Sequence, residues 1–226
     1  MNHIVNPSQP FQSVKAVILA VAIIVGFGVN FGAGHAAPVK KAVVAGGCFW
    51  CVEADFEKVD GVREVVSGYT GGTVANPSYK QVTRGGTGHY EAAEIAYDPD
   101  QVSYAELMDL FFRSIDPTDA GGQFCDRGNS YRTAIFVSDP AQRAIAEAAK
   151  ARAEEALGQK IVTPILDSKA FYEAEAYHQD YYRKDDLVLT RFGVRTKAEA
   201  YARYREACGR DQRVRALWGR DAPFIH

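Results

Sequence analysis

The chain has 226 residues and a formal net charge of -2, with 47% hydrophobic and 24% charged residues. These proportions are typical of a soluble globular protein and exclude an intrinsically disordered one. The small net charge gives no indication of nucleic-acid binding. The length is sufficient for one domain with a full hydrophobic core.

The first 37 residues differ from the rest of the chain. A polar start containing Lys15 precedes the apolar run "AVILAVAIIVGFGVNF" and the small-residue segment "GAGHAAPVKK". This order is typical of a secretory signal peptide, with cleavage predicted after Ala36. An uncleaved membrane anchor is the alternative, because the run approaches the ~18 to 20 residues of a spanning helix. We therefore predict residues 1–37 as signal peptide or anchor, residues 38–226 as the functional domain, and an exported, periplasmic protein.

Strands and helices are predicted to alternate in the remainder. Strands are predicted at 40–47, 62–69, 91–98, 133–137 and 161–166, and helices at 48–59, 104–113, 140–157, 170–184 and from 196 to about 208. Several connections are too short for parallel crossovers. The pattern therefore favours an α+β fold, a two-layer sandwich of one mixed sheet with packed helices.

The stretch "GGCFWCVEA" (residues 46–54) carries the strongest chemical signal. Its two glycines suit a tight turn before a helix, which places Cys48 in the first helical turn. A helix N-terminus stabilises a thiolate, so we expect a lowered pKa and a nucleophilic role for Cys48. Cys51 lies one turn further on the same face, where Cβ atoms are roughly 5–6 Å apart. A disulfide requires about 3.5–4.5 Å. A Cys48–Cys51 disulfide would therefore need a distorted turn and would be easily reduced.

The four cysteines leave alternatives open. In an exported chain Cys48, Cys51, Cys125 and Cys208 could form two structural disulfides. A thioredoxin-like oxidoreductase would use the first two as its dithiol, whereas a single-thiol enzyme would recycle one reactive cysteine through the others. A zinc site would show a second closely spaced ligand pair, so no metal is predicted.

Five motifs resemble those of one enzyme family. They are "GCFWCVE", "GYTGGTVANPSY", "GHYE", "DRGNSYR" and "AEAYHQ", in this order within residues 46–182. Together they are similar to the motifs of the peptide-methionine (S)-S-oxide reductases, the A-type methionine sulfoxide reductases. The resemblance implies a ferredoxin-like core and reduction of methionine-(S)-sulfoxide, both in proteins and free, with no metal or organic cofactor. Residues 38–226 would then be the reductase domain.

The resemblance also implies roles for individual residues. Cys48 would attack the sulfoxide sulfur and become a sulfenic acid as methionine leaves. Glu91 would protonate the sulfoxide oxygen, and a carboxyl in an apolar pocket keeps its proton to higher pH. Tyr79 and Tyr131 would hydrogen-bond the same oxygen. The implied substrate-binding residues are Phe49 and Trp50, as a cage for the ε-methyl group, with Asp126 and His178. Without the resemblance, these side chains are better explained as strand-edge, packing or helix residues.

Two positions depart from the family pattern, because the family more usually has glycine at Cys51 and commonly asparagine at Cys125. A sulfenic acid needs a resolving thiol, which the family usually takes from its C-terminal region. Cys208 is therefore the first choice, Cys51 the second, and Cys125 is expected to be a spectator thiol.

A thioredoxin-type donor would reduce the resulting disulfide, and in an exported protein that donor must be membrane-relayed or tethered. The rival functions are a thiol–disulfide oxidoreductase using Cys48 and Cys51, and an exported binding module with structural disulfides.

Overall fold

The computed structural model describes Met1 and residues 38–225. The predicted leader lies outside the described residues apart from Met1, so its cleavage or retention stays a prediction. Within the described part of the chain, no helix combines the length and the hydropathy that a membrane crossing requires.

A six-stranded mixed sheet forms the centre of the domain. Its strands are β1 (Lys40–Gly46), β2 (Val62–Thr70), β3 (Tyr90–Tyr97), β6 (Thr133–Val137), β7 (Ile165–Asp167) and β8 (Tyr172–Glu173). Their order is β7-β6-β1-β3-β2-β8, and only β6 and β7 pair in parallel. Two small antiparallel ribbons lie outside this sheet: β4 (Gly122–Gln123) with β5 (Asp126–Arg127), and β9 (Leu187–Thr190) with β10 (Gly193–Thr196).

Six α-helices accompany the strands in the described residues. They are α1 (Phe49–Phe56), α2 (Tyr79–Arg84), α3 (Tyr104–Ser114), α4 (Pro140–Leu157), α5 (Lys197–Ala207) and α6 (Arg210–Trp218). The succession β1-α1-β2-β3-α3-β6, with spatial order β6-β1-β3-β2, is the ferredoxin-like arrangement. The predicted α+β sandwich of a mixed sheet with packed helices is therefore confirmed.

Local sequence signals define several helix ends. Ser103 and Glu106 form a capping box at the start of α3, and Thr196 and Glu199 form another at α5. The main core lies where α3 and α4 cover the sheet, with fully buried side chains such as Phe111. Burying these apolar side chains supplies the main driving force for the fold.

The predicted helix at 170–184 is wrong. Residues 172–173 form strand β8 on the open edge of β2, and residues 181–183 form a single 3₁₀ turn. The Gln179 side chain accepts from Ser67 N–H and donates to Ser67 O, which satisfies the edge of β2. Pairing with β2 thus overrides the local helix propensity. Helix α6, after Cys208, was not predicted.

Candidate active site

Cys48 lies at the junction of β1 and α1. The preceding Gly47 has φ +85°, and a Cβ on it would lie 2.5 Å from Gln123 Cβ, so this turn requires glycine. Cys48 is the N-cap residue of α1, with φ -56° and ψ 119°. It therefore lies one residue before the predicted first turn, in a non-helical conformation.

The two cysteines of "CFWC" are adjacent, free and buried. Cys48 is 7% exposed and Cys51 3% exposed. Their thiols form a hydrogen bond with each other, and Cys51 N–H donates to Cys48 O at 3.1 Å. The predicted obstacle to a disulfide assumed that both residues were helical. Because Cys48 is not, its thiol comes within hydrogen-bond reach of the Cys51 thiol without distortion of the helix.

The pKa values of the two thiols are shifted in opposite directions. The hydrogen bond with Cys51, burial, and the nearby Glu91 carboxyl raise the pKa of Cys48 well above its usual value. The hydrogen bond from Cys48, together with Arg210 and Arg205, lowers the pKa of Cys51 despite its burial. The expected lowering of the Cys48 pKa is therefore wrong, since the hydrogen bond with Cys51, burial and acidic neighbours outweigh the helix N-terminus.

Glu91 is a buried acid directed at the start of α1. It is 1% exposed, and its Oε2 accepts a hydrogen bond from Phe49 N–H at 3.2 Å. Oε1 is buried and has no hydrogen-bond partner among the described residues. Burial raises the pKa of Glu91 to about 8, and the Phe49 N–H offsets only part of that effect. The carboxyl is therefore mostly protonated at pH 7 and has a free oxygen.

Two phenols lie near this carboxyl. Tyr79 begins α2, and Tyr131 ends the 3₁₀ turn at 129–131. Burial, followed by the proximity of Glu91, raises the pKa of both phenols. Both hydroxyls therefore remain protonated and can donate hydrogen bonds to an oxygen atom.

These groups lie around a cavity of about 80 Å³. It is lined by Cys48, Phe49, Trp50, Tyr79, Glu91, Asp126, Tyr131 and Tyr204. Seven of these eight residues were predicted from the sequence, although they come from four separate stretches. Tyr204 was missed because α5 carries none of the motifs; its hydroxyl donates a hydrogen bond to the Asp126 carboxylate.

Aromatic rings support the cavity from behind. The Trp50 ring stacks on Tyr181 with ring centres 3.8 Å apart. His178 is 1% exposed and packs 5.1 Å from Phe49 and 4.3 Å from Tyr79, between ring centres. Burial lowers the pKa of His178 to about 4, so the ring is neutral at pH 7. The structure places His178 behind the lining residues, and its predicted role in orienting substrate stays a prediction.

Glu175, which sequence reasoning missed, anchors the cavity wall. Its Oε1 accepts from Tyr79 N–H at 3.0 Å, and its Oε2 accepts from Tyr69 OH at 2.9 Å. It lies within the "AEAYHQ" motif, which was therefore a signal for this function. The carboxylate fixes the start of α2 and thereby the position of the Tyr79 phenol.

Cys125 and Cys208 form a disulfide, with Cα atoms 4.9 Å apart. The expectation that Cys125 is a spectator thiol is therefore wrong. The structure brings Cys51, rather than Cys208, into contact with Cys48. Which of the two resolves the sulfenic acid stays a prediction.

Two groups of described residues bring metal-ligating atoms together. One consists of Cys125, Asp126 and Cys208, whose sulfurs are already bonded to each other. The other consists of Glu53, Glu57 and Asp180. Glu53 accepts from Ser67 OH and Asp180 N–H, and Arg183 contacts both Glu57 and Asp180. These internal partners account for both groups.

Comparison with known proteins identifies the family. A family model described as peptide methionine sulfoxide reductase matches residues 40–210. The chain belongs to this family. A Caulobacter vibrioides protein named peptide methionine sulfoxide reductase MsrA 2 is 44% identical over 91% of this chain and 98% of its own length. The Bacillus subtilis MsrA is 46% identical over 79% of this chain and 95% of its own length.

Solved structures agree with this assignment. Mxr1 from Saccharomyces cerevisiae in reduced form gives a TM-score of 0.61 at 34% identity, covering 63% of this chain and 83% of that one. Methionine sulfoxide reductase A of Corynebacterium diphtheriae gives 0.60 at 32% identity, covering 68% and 78%. The predicted family and its enzymatic nature are confirmed: the protein is a peptide methionine sulfoxide reductase whose reaction depends on a thiol.

Proposed function

We propose that the protein reduces the S epimer of methionine sulfoxide, in proteins and free, through Cys48. The observation that carries the proposal is the cavity in which one sulfur, one protonated carboxyl and two phenols converge. A sulfoxide presents an oxygen and an electrophilic sulfur on adjacent atoms. Glu91, Tyr79 and Tyr131 supply hydrogen-bond donors for the oxygen, while Cys48 lies where the sulfur would bind.

Proton transfer and attack are coupled in this reaction. Glu91 gives its proton to the sulfoxide oxygen, which makes the substrate sulfur cationic. A cationic sulfur beside Cys48 favours its thiolate and offsets the Cys51 hydrogen bond, the burial and the acidic neighbours that raise its pKa. Attack, followed by transfer of the oxygen to Cys48, releases methionine and leaves a sulfenic acid.

Stereoselectivity is attributed to the aromatic side of the cavity. Phe49 and Trp50 line it together with the polar groups, and Trp50 is held by its stack on Tyr181. With the oxygen held by the donors and the methyl group against these rings, only one epimer directs its sulfur at Cys48. The main-chain side of the substrate would then reach Asp126.

The test uses each epimer separately with dithiothreitol as reductant. We expect turnover of the S epimer by the native enzyme, little turnover of the R epimer, and none by Cys48→Ser. Equal rates for the two epimers, or turnover that survives Cys48→Ser, would contradict the proposal.

For the resolving step we propose Cys51, because its thiol already contacts Cys48 and because Arg210 and Arg205 favour its thiolate. A thiolate is the attacking form in this exchange. The sulfenic acid and Cys51 form a Cys48–Cys51 disulfide and release water. Sequence reasoning ranked Cys208 first, and one experiment separates the two candidates.

Fully reduced Cys51→Ser and Cys208→Ser are each given methionine-(S)-sulfoxide without reductant and then dimedone, which labels sulfenic acids. If Cys51 resolves, the label accumulates on Cys48 in Cys51→Ser and stays low in Cys208→Ser. The reverse pattern would return the role to Cys208.

We also propose export and a thioredoxin-type donor. The apolar run before Ala36 supports export, and an intramolecular disulfide product supports a dithiol donor. N-terminal sequencing of the protein recovered from the periplasm tests the first, with Ala37 as the expected first residue. An N-terminus that begins before the apolar run on membrane-bound protein would favour the anchor.

A further inference from the structure

The ribbon of β9 and β10 has an apolar outer face, formed by Leu187, Leu189 and Val194. Val194 lies opposite Leu189 in the pairing, and Leu187 shares the face of Leu189 because strand side chains alternate. Leu187, Leu189 and Val194 are 72%, 84% and 56% exposed. Val188, on the opposite face, is half-buried, and both strands contact α5. An antiparallel pair normally directs its polar side chains to solvent, so adjacent exposed apolar side chains indicate an interaction surface.

The edges of the ribbon are open as well. Among the described residues β9 and β10 pair only with each other, so each has one edge without a strand partner. Such an edge offers N–H and C=O groups to an extended polypeptide, and exposed apolar side chains beside it add contact area. Recognition through main-chain groups depends little on sequence. It therefore suits an enzyme whose protein substrates share only an oxidised methionine.

The ribbon begins next to the cavity that contains Cys48. Asp186 directly precedes β9, and its Oδ2 lies 2.9 Å from Lys197 Nζ. The same Nζ lies 5.7 Å from the centre of the Tyr181 ring. Tyr181 stacks on Trp50, which lines the cavity, and both of these rings are half-buried. Partly exposed aromatic rings therefore connect the cavity with the base of the ribbon.

The dimensions of the ribbon favour an extended polypeptide over a second copy of the chain. A stable dimer buries about 800 Å² on each partner. Three exposed side chains on a ribbon of four residue pairs provide much less than that. A single extended segment needs only a narrow surface, and it advances about 3.4 Å per residue. Apolar side chains about three to six residues from an oxidised methionine in the cavity would therefore reach the ribbon.

We propose that the outer face of the ribbon binds the apolar, extended polypeptide that flanks an oxidised methionine in unfolded proteins. The segment lies along one edge of the ribbon, with its main chain bonded to the strand and its apolar side chains against Leu187, Leu189 and Val194. The inference rests on the proposed function, because the sulfoxide of the same segment must occupy the cavity beside Cys48. The ribbon contributes to binding of polypeptides only, since free methionine sulfoxide is too short to reach it.

Steady-state assays with dithiothreitol and three substrates test the proposal. The substrates are free methionine-(S)-sulfoxide, a serine-rich peptide with one central methionine-(S)-sulfoxide, and the same peptide with leucines at alternate positions about three to six residues from the sulfoxide on both sides. We expect the native enzyme to show a kcat/KM about 10-fold higher for the leucine peptide than for the serine peptide.

The triple variant Leu187→Ser/Leu189→Ser/Val194→Ser should lose this preference and keep the native rate with free methionine sulfoxide. Val39→Ser is the control for loss of an exposed apolar side chain. Val39 is 55% exposed, close to the value for Val194, but it precedes β1 whereas Cys48 follows that strand. Val39→Ser should therefore retain the preference for the leucine peptide.

Equal kcat/KM for the two peptides with the native enzyme would overturn the inference, and this measurement needs no variant. A preference that the triple variant retains, or an equal loss with all three substrates, would overturn it as well. No turnover of any substrate by the native enzyme would instead count against the proposed function.

Two further measurements distinguish other occupants of the outer face. A defect of the triple variant that appears only when a thioredoxin-type donor replaces dithiothreitol would assign the face to the donor. A native dimer in sedimentation that the triple variant no longer forms would assign it to a second copy. Either result would overturn the inference, whereas a monomer with a defect specific to the leucine peptide supports it.

Discussion

Replacing Glu91 by glutamine should separate catalysis from stability. The amide keeps the size of the side chain and can still accept the Phe49 N–H hydrogen bond, but it cannot donate a proton. General acid catalysis contributes about 10² to 10⁴-fold, and we expect a loss of kcat/KM of that order. Burial that raises the pKa of Glu91 to about 8 also predicts that native activity falls as pH rises through about 8.

The same burial means that ionisation of Glu91 destabilises the folded state. A carboxyl with an unfolded pKa of 4.5 and a folded pKa of about 8 binds its proton more tightly in the folded state. Its contribution to stability is therefore complete below pH 4.5 and is lost as pH rises to about 8. At 1.36 kcal/mol per pKa unit, the native protein loses about 1 kcal/mol by pH 5 and about 3 kcal/mol by pH 7. Glu91→Gln avoids this loss.

Guanidinium unfolding of both proteins at pH 5 and pH 7 measures the difference. We expect the advantage of Glu91→Gln to increase by about 2 kcal/mol between the two values. Glu53→Gln is the matched control, since Glu53 is also buried and burial raises its pKa to about 7, but it faces Ser67 rather than the cavity. The Glu53→Gln variant should still lose activity as pH rises through about 8, as the native enzyme does. If Glu91→Gln retains the native rate and pH profile, the acid is another group and this reasoning is wrong.

Three further substitutions test other parts of the site. Tyr131→Phe removes one hydrogen-bond donor for the sulfoxide oxygen and should lower kcat by about 10² to 10³-fold without unfolding the protein, as measured by steady-state assay and circular dichroism. Glu175→Gln weakens the hydrogen bond from Tyr79 N–H that positions the Tyr79 phenol, so kcat should fall. Because this effect acts through the phenol, the same substitution should lower kcat less in a Tyr79→Phe background. Asp55→Asn removes the buried carboxylate that pairs with Arg205 and Arg210, of which Arg205 keeps Asp211, and should lower the free energy of unfolding by about 3–5 kcal/mol in guanidinium. An unchanged denaturation midpoint would contradict that last expectation.

Sequence patterns predicted the parts of the fold that local physics determines. Strand 133–137 occurs as predicted, because a short apolar run between polar turns suits a buried strand. Capping boxes marked helix starts because the bonds they make are local. The cavity was predicted through motifs rather than periodicity, since its residues come from separate elements that only the sheet brings together.

The errors have long-range causes. Segment 170–184 has helical composition, but β8 pairs with β2, and Glu175 and Gln179 make their bonds to distant residues. The Cys125–Cys208 disulfide was missed because 83 residues separate its members and no pattern connects them. Tyr204 was missed for the same reason, since its role depends on how α5 packs rather than on its neighbours in sequence.

The two cysteines of "CFWC" lie in different electrostatic environments, which supports the different roles proposed for them. On the side of Cys48, Glu91 and Asp126 disfavour a resting thiolate. On the side of Cys51, Arg205 and Arg210 favour one. A resting thiolate at Cys48 would be open to oxidation at the cavity. In the proposed reaction, attack by Cys48 awaits the cationic sulfur of a protonated substrate, and the lowered pKa of Cys51 favours the thiolate that attacks the sulfenic acid. The asymmetry of the "CFWC" pair thus follows from the hydrogen bond between its two thiols together with the charged groups around each of them.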